Sequence, residues 1–273
     1  MPLVLLLMLA TVTTPSAPDP AVLLTGSFTN EEQVYFDKEA GHTPPDWFAM
    51  TIVQTIAGLS ISEHDAFGRA HGDAHALTIR REGDAIMLDY GKCQRLYRAK
   101  GDGLIASDVR GICHAPAVIT EITPQGITLA FPNKRTVLLR RARAATCWTA
   151  IPKKQLKPDG STDWHFVRDV KLHDQGGRAL IGGGESGTDP LIIRMRNVVW
   201  PPSADGKPSP NKPSIVLYVH KLDQPDRAES YVWADPGAAR IGINLRWMQA
   251  SCGIDGADSV SNHLPLFEDR TTQ

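Results

Sequence analysis

The segment His64-Asp-Ala-Phe-Gly-Arg-Ala-His71-Gly-Asp73-Ala-His75 is the densest set of metal-competent side chains, holding three of the nine histidines in the chain. Side chains alternate along an extended backbone, so His71, Asp73 and His75 would share one face, and two imidazoles with a carboxylate suit Zn²⁺ or a similar ion. The spacing matches no established zinc motif, and Gly68 and Gly72 equally suit a solvated polar turn. His165, Asp169, His173 and Asp174 lie near Ser161 and Ser186 and supply the types a nucleophilic hydrolase needs. If residues 164–172 are extended, however, His165 and Asp169 are simply part of a polar strand face. No catalytic residue is assigned from order along the chain.

Gly182-Gly-Gly-Glu-Ser-Gly187 contains the string of a dinucleotide loop, but Thr188-Asp-Pro190 leads into the strand-like Leu-Ile-Ile-Arg-Met, where a helix should begin. It also fails as a nucleophile elbow, because Thr188 stands where glycine is required, so a flexible inter-strand loop is expected. Aromatic residues make up only 7% of the chain, and core packing is their default role. Those that faced a cavity would suit a flat apolar ligand, with Arg194, Arg196 or Arg246, on alternating strand positions, meeting its carboxylates. The expected ligand contacts are Arg194, Arg196, Trp164 and Tyr90. The basic run Lys134 to Arg143 reads as a solvated strand face.

Four cysteines, Cys93, Cys113, Cys147 and Cys252, form an even set without a CxxC pair, which favours disulfides over a metal cluster in an exported chain. Three pairings are open. Cys93 to Cys113 is preferred because the stretch between them reads as a hairpin, leaving Cys147 to Cys252 as the second bridge.

The elements that must position these residues are mostly strands. One helix is expected from Thr29-Asn-Glu-Glu32, a capping-box pattern, to Ala40, stopped by Gly41 and Pro44-Pro45. Strand-sized apolar runs follow at 48–56, 74–80, 85–90, 118–122, 127–131 and 136–139, and again at 164–172, 178–181, 191–200, 215–221, 230–233 and 240–247. The polar connector Pro152 to Ser161 is either a domain boundary or a long hairpin loop. Five prolines between Pro201 and Pro213 forbid a sheet interior there. The expected organisation is a signal peptide over 1–21, a β-barrel domain over 22–150, and a second antiparallel β domain over 151–273 with an exposed 201–213 loop and a frayed tail.

The signal peptide is read from the short apolar run Met1 to Ala10 and the small, Pro-rich stretch after it, although no Lys or Arg precedes the run. No segment approaches the length of about 20 apolar residues needed to span a membrane as a helix. A periplasmic or secreted location is therefore expected. With 29 Lys plus Arg against 30 Asp plus Glu, the net charge of −1 argues against a general nucleic-acid binder.

Three motifs in order resemble the T-type phycobilin lyases, the CpcT/CpeT-like family: Leu24-Thr-Gly-Ser-Phe28-Thr-Asn30-Glu-Glu-Gln33, then Gly91-Lys-Cys93 with Gly111-Ile-Cys113 about one hairpin later, then Val118 to Gly126. The similarity covers residues 23–131. It implies a calycin-like β-barrel in the N-terminal half, able to hold an open-chain tetrapyrrole or another apolar ligand, with Asn30, Gln33, Cys93 and Cys113 as the matching positions. The family's aromatic and Tyr-Arg pattern is missing between Trp47 and Asp89, the C-terminal half is unmatched, and the family's maturation work is cytoplasmic, so only the fold is carried over.

These observations favour a mainly β, exported protein that binds a small apolar or amphipathic ligand in its barrel, with no cofactor unless the His71 set holds a metal. The rivals are a secreted hydrolase or metal-dependent enzyme, and an envelope module that binds a protein partner.

Overall fold

The computed structural model describes residues 19–90, 92–113, 118–202 and 205–256. The expected signal peptide up to residue 18, Gly91, residues 203–204 of the Pro-rich loop and the tail from residue 257 lie outside the described residues.

Alternating apolar and polar residues make a sheet with one dry face. In the first half they form ten strands: β1 (Gly26–Thr29), β2 (Ala49–Thr55), β3 (Gly58–His64), β4 (Ala70–Glu82), β5 (Ala85–Asp89), β6 (Cys93–Lys100), β7 (Gly103–Gly111), β8 (Val118–Thr123), β9 (Gly126–Ala130) and β10 (Thr136–Ala142). Each pairs antiparallel with the next, and β1 pairs with both β2 and β10, which closes the barrel. The interior is filled by its own side chains, among them Phe28, Ile52, Leu88, Tyr97, Ile122 and Leu139. A short helix, α1 (Pro20–Leu24), adds Leu23 and Leu24 to the same cluster. Each fully buried side chain of this size contributes roughly 1.5–3 kcal/mol by leaving water.

Between β1 and β2 lies α2 (Glu31–Glu39). The expected capping box does not form. Asn30 occupies the N-cap position, but its side chain bridges two other groups, donating to the Asp46 carbonyl and accepting from the Phe48 N–H, both at 2.8 Å. Thr29 Oγ1 accepts from the Glu31 N–H at 3.2 Å, while Glu32 is drawn away by Arg140. Gln33 fixes the helix to the barrel wall, donating to the Thr136 carbonyl at 3.3 Å and accepting from the Leu138 N–H at 3.1 Å.

A single residue, Arg143, separates β10 from β11 (Ala144–Pro152), which begins the second sheet system. There follow β12 (Trp164–His173), β13 (Gln175–Ile181), β14 (Leu191–Val198), β15 (Ser214–Lys221), β16 (Ala228–Ala234), β17 (Arg240–Leu245) and β18 (Met248–Ile254). One sheet runs β12-β11-β18-β17 and the other β13-β14-β15-β16. A common core joins them, with Leu172, Ile193, Met195, Leu217, Ile243 and Ala250 among its members. The connector after Pro152 is the loop of the β11–β12 hairpin, so the change from barrel to sandwich falls at Arg143, ahead of the 150/151 position that composition suggested.

Both preferred disulfides are present, Cys93–Cys113 and Cys147–Cys252. The first joins β6 to the residues just after its hairpin partner β7. The second links directly opposed residues of β11 and β18 whose Cα atoms are 3.9 Å apart.

Candidate ligand site

In the sheet β13-β14-β15-β16, Ala179 and Ile181, Leu191, Ile193 and Met195, and Ile215, Leu217 and Val219 face the sandwich core. Alternation therefore turns Arg178, Arg194, Arg196, Tyr218, His220, Tyr231 and Trp233 to the opposite face. The register sets Arg178, Arg194, Tyr218 and Tyr231 in one row across all four strands. Trp233 lies in the neighbouring row, opposite Val216 and Arg196. The rings form a continuous strip, with centroids 5.9 Å apart for Tyr218 and His220, 6.0 Å for Tyr218 and Tyr231, and 6.2 Å for Tyr231 and Trp233.

The β13–β14 end of this face is covered by α2. Glu31 accepts from Trp47 Nε1 at 2.7 Å, is ion-paired with Arg194, and lies 3.8 Å from Arg196 Nε. The Arg196 guanidinium sits 3.7 Å from the Tyr35 ring centroid, a cation–π contact. Gly176, at φ 88°, permits this approach, because a Cβ there would overlap the Glu31 side chain. Among the described residues, the Arg178 side chain has Asp226, at 3.7 Å and 93% exposed, and the Pro225 carbonyl at 3.4 Å as its partners.

Arg194 and Arg196 thus share one buried carboxylate, and Arg178 lies next to Arg194 in the row. Among the described residues, Arg178 Nε, Arg194 Nε, Arg196 Nη2 and both nitrogens of His220 are buried without a hydrogen-bond partner. Burial, and then the charge of Arg196, pushes Arg194 down to about 10. Burial and the nearby Arg194 also lower the pKa of His220. The β16 end is open, with Tyr231 58% and Trp233 68% exposed.

Of the expected ligand contacts, Arg194 and Arg196 come together here. Tyr90 lies on the barrel just after β5, beside Tyr97, and Trp164 opens β12 in the other sheet opposite Pro152. Arg246 is in the exposed turn after β17. Tyr218, Tyr231 and Trp233 belong to the aromatic set whose default role is core packing, Arg178 is not among the expected contacts, and only the cross-strand register assembles them.

His71, Asp73 and His75 are all exposed on β4. His75 stands opposite Ile61 and His71 opposite Glu63 of β3, across a register shift that contains the left-handed Gly72, at φ 78°. Among the described residues no three His, Cys, Asp or Glu side chains are grouped to hold a metal ion. His64 stands apart from them, lining a cavity of about 110 Å³ with His173, Ser27, Thr51 and Asp65. Ser186 Oγ donates to the Gly183 carbonyl at 2.7 Å and pairs with Thr188 at 2.8 Å, and among the described residues no hydrogen bond joins it to His165 or Asp169. The glycine-rich segment is a loop with one 3₁₀ turn between β13 and β14, followed by a strand. In the basic run, Arg140 pairs with Glu32 at 2.6 Å and Arg141 donates to the Leu23, Thr25 and Pro124 carbonyls, so part of that face is a structural tie.

Fold and site together describe a mainly β chain: a closed ten-strand antiparallel barrel, compatible with a calycin-like fold, joined to two further antiparallel sheets with a basic and aromatic outer face. No protein-family model, curated protein or solved structure matches the chain, and no family match supports the lyase resemblance. Among the described residues no helix is long and apolar enough to cross a membrane.

Proposed function

We propose that the protein works outside the cytoplasm and binds a small amphipathic anion on the outer face of β13-β14-β15-β16, beside α2. The observation that carries this reading is the charge imbalance: Arg194 and Arg196 meet the buried carboxylate of Glu31, Arg178 beside them meets the exposed Asp226, and among the described residues each of the three keeps an unfilled donor. An unpartnered buried polar group costs about 1–3 kcal/mol, which an anion reaching the cluster would offset. Tyr218, Tyr231 and Trp233 continue the face with ring surface for the apolar part of the ligand. The ligand is placed here because the barrel interior is packed with its own side chains. The two disulfides support an oxidising compartment.

The test is a fluorescence titration with anilinonaphthalene sulfonate, an anionic amphipathic probe, on the folded, oxidised chain. We expect saturable binding, weakened about 10-fold, or 1.4 kcal/mol, in Arg178→Gln and in Tyr231→Ala. Near-UV circular dichroism should show both variants folded. Non-saturable binding, or parental affinity in both variants, would overturn the proposal.

A further inference from the structure

Taking that site as given, we infer that its ligand is an acidic saccharide, a short chain of uronic-acid type whose carboxylates meet the arginine end of the row and whose rings stack on Tyr231 and Trp233.

The first argument is shape. Tyr231 and Trp233 stand 58% and 68% exposed on β16, the edge strand of its sheet, so this end of the site is an open strip. A predominantly apolar ligand binds well when about 70–90% of its surface is buried in a cleft. On an open strip much of that surface would stay in water. A sugar ring loses little by the same arrangement, because its hydroxyls remain solvated while one C–H face covers an aromatic ring.

Charge supplies the second argument. A neutral saccharide would leave the arginine donors unfilled, whereas a carboxylate matches the planar fork of a guanidinium. Arg178 is the most exposed of the three side chains, at 16% against 11% for Arg194 and 4% for Arg196, and its acidic neighbour Asp226 is itself 93% exposed. Glu31 holds Arg194 and Arg196 in place behind it.

Length is the third. The row Arg178, Arg194, Tyr218, Tyr231 crosses three strand spacings, about 14 Å at roughly 4.8 Å each. That span separates the charged end from the stacking end by more than one sugar ring, so an oligomer engages both and a monosaccharide does not.

The experiment is isothermal calorimetry of the full oxidised chain with tri-galacturonate, with cellotriose as the neutral comparator and anilinonaphthalene sulfonate as the apolar anion. Tri-galacturonate should bind, cellotriose should bind at least about 10-fold more weakly, and Trp233→Ala and Arg178→Gln should each cost about 10-fold. Added NaCl should weaken tri-galacturonate binding, as exposed charge contacts require. If the sulfonate probe binds through Arg178 and Tyr231 while tri-galacturonate does not, the saccharide inference fails and the anion site stands. Equal affinity for cellotriose and tri-galacturonate overturns the acidic specificity. If neither anion binds, the inference and the site both fall.

Discussion

Arg143 and Asp174 are joined three times: the Arg143 N–H and Nε donate to the two carboxylate oxygens at 2.8 and 2.7 Å, and the Asp174 N–H donates to the Arg143 carbonyl at 3.0 Å. Each is a one-residue joint. Arg143 lies between barrel and sandwich, and Asp174 lies where the chain passes from one sandwich sheet to the other. The Asp174 side chain is 1% exposed, so Asp174→Ala leaves a guanidinium facing an uncompensated site. The expected cost is about 3 kcal/mol, read as a lower urea midpoint with an unchanged slope.

His173 gives the fold a pH dependence. Burial, and then the neighbouring His64, pushes its imidazole from 6.5 down to about 4. The unfolded chain therefore binds this proton more readily than the folded one between those values. Stability contributed by His173 is full above about pH 6.5 and is lost as pH falls towards 4, by at most about 3 kcal/mol. Urea midpoints at pH 7 and pH 5 should differ in the parent and differ less in His173→Gln. An equal loss in both would assign the effect to other groups.

The two disulfides close loops of different length, with sequence separations of 20 and 105. In the chain-entropy model these are worth roughly 3 and 5 kcal/mol. Replacing Cys147 and Cys252 together with alanine should lower the denaturation midpoint more than replacing Cys93 and Cys113. The reverse order would show that strand pairing already confines the longer loop in the unfolded chain.

Glu31 is the internal anion of the arginine cluster. Glu31→Gln should therefore act in opposite directions on stability and binding. Stability should fall by about 3 kcal/mol, because Arg194 and Arg196 lose their buried counter-charge. Affinity for an added anion should rise, by roughly 10-fold if 1.4 kcal/mol of competition is relieved. Denaturation and sulfonate titration of the same preparation separate the two effects.

Much of the fold was legible because β-branched and aromatic alternation is local information. Leu191 to Val198 and Ser214 to Lys221 are apolar runs of strand length rich in β-branched residues, and both strands are found where expected. β18 was missed because Met248-Gln-Ala-Ser-Cys-Gly-Ile is rich in small residues, and its burial comes from a sheet position between β11 and β17 that no local pattern records. The capping-box reading of Thr29 and Glu32 failed for a long-range reason, the attraction of Glu32 to Arg140 and to the Val199 N–H. The same limit applies to the site. Arg194 and Arg196 were visible as alternate charges on one strand, but the row to Tyr231 depends on the register of three hairpins. Tyr90, just after β5, and Trp164, on β12, lie away from this row.

The pairing of β11 with β18 sets an order of events during synthesis. The barrel is complete once residue 142 is available, since β10 closes on β1 near the start of the chain. The sandwich must wait for the final strand, because β11 is left with one empty edge until residues 248–254 arrive. Throughout that interval a strand with one open edge, carrying the Cys147 thiol, sits directly after a finished barrel. The stretch from Ala144 onward is therefore the part of the newborn chain most open to mispairing, and Cys252 is the residue that ends the exposure.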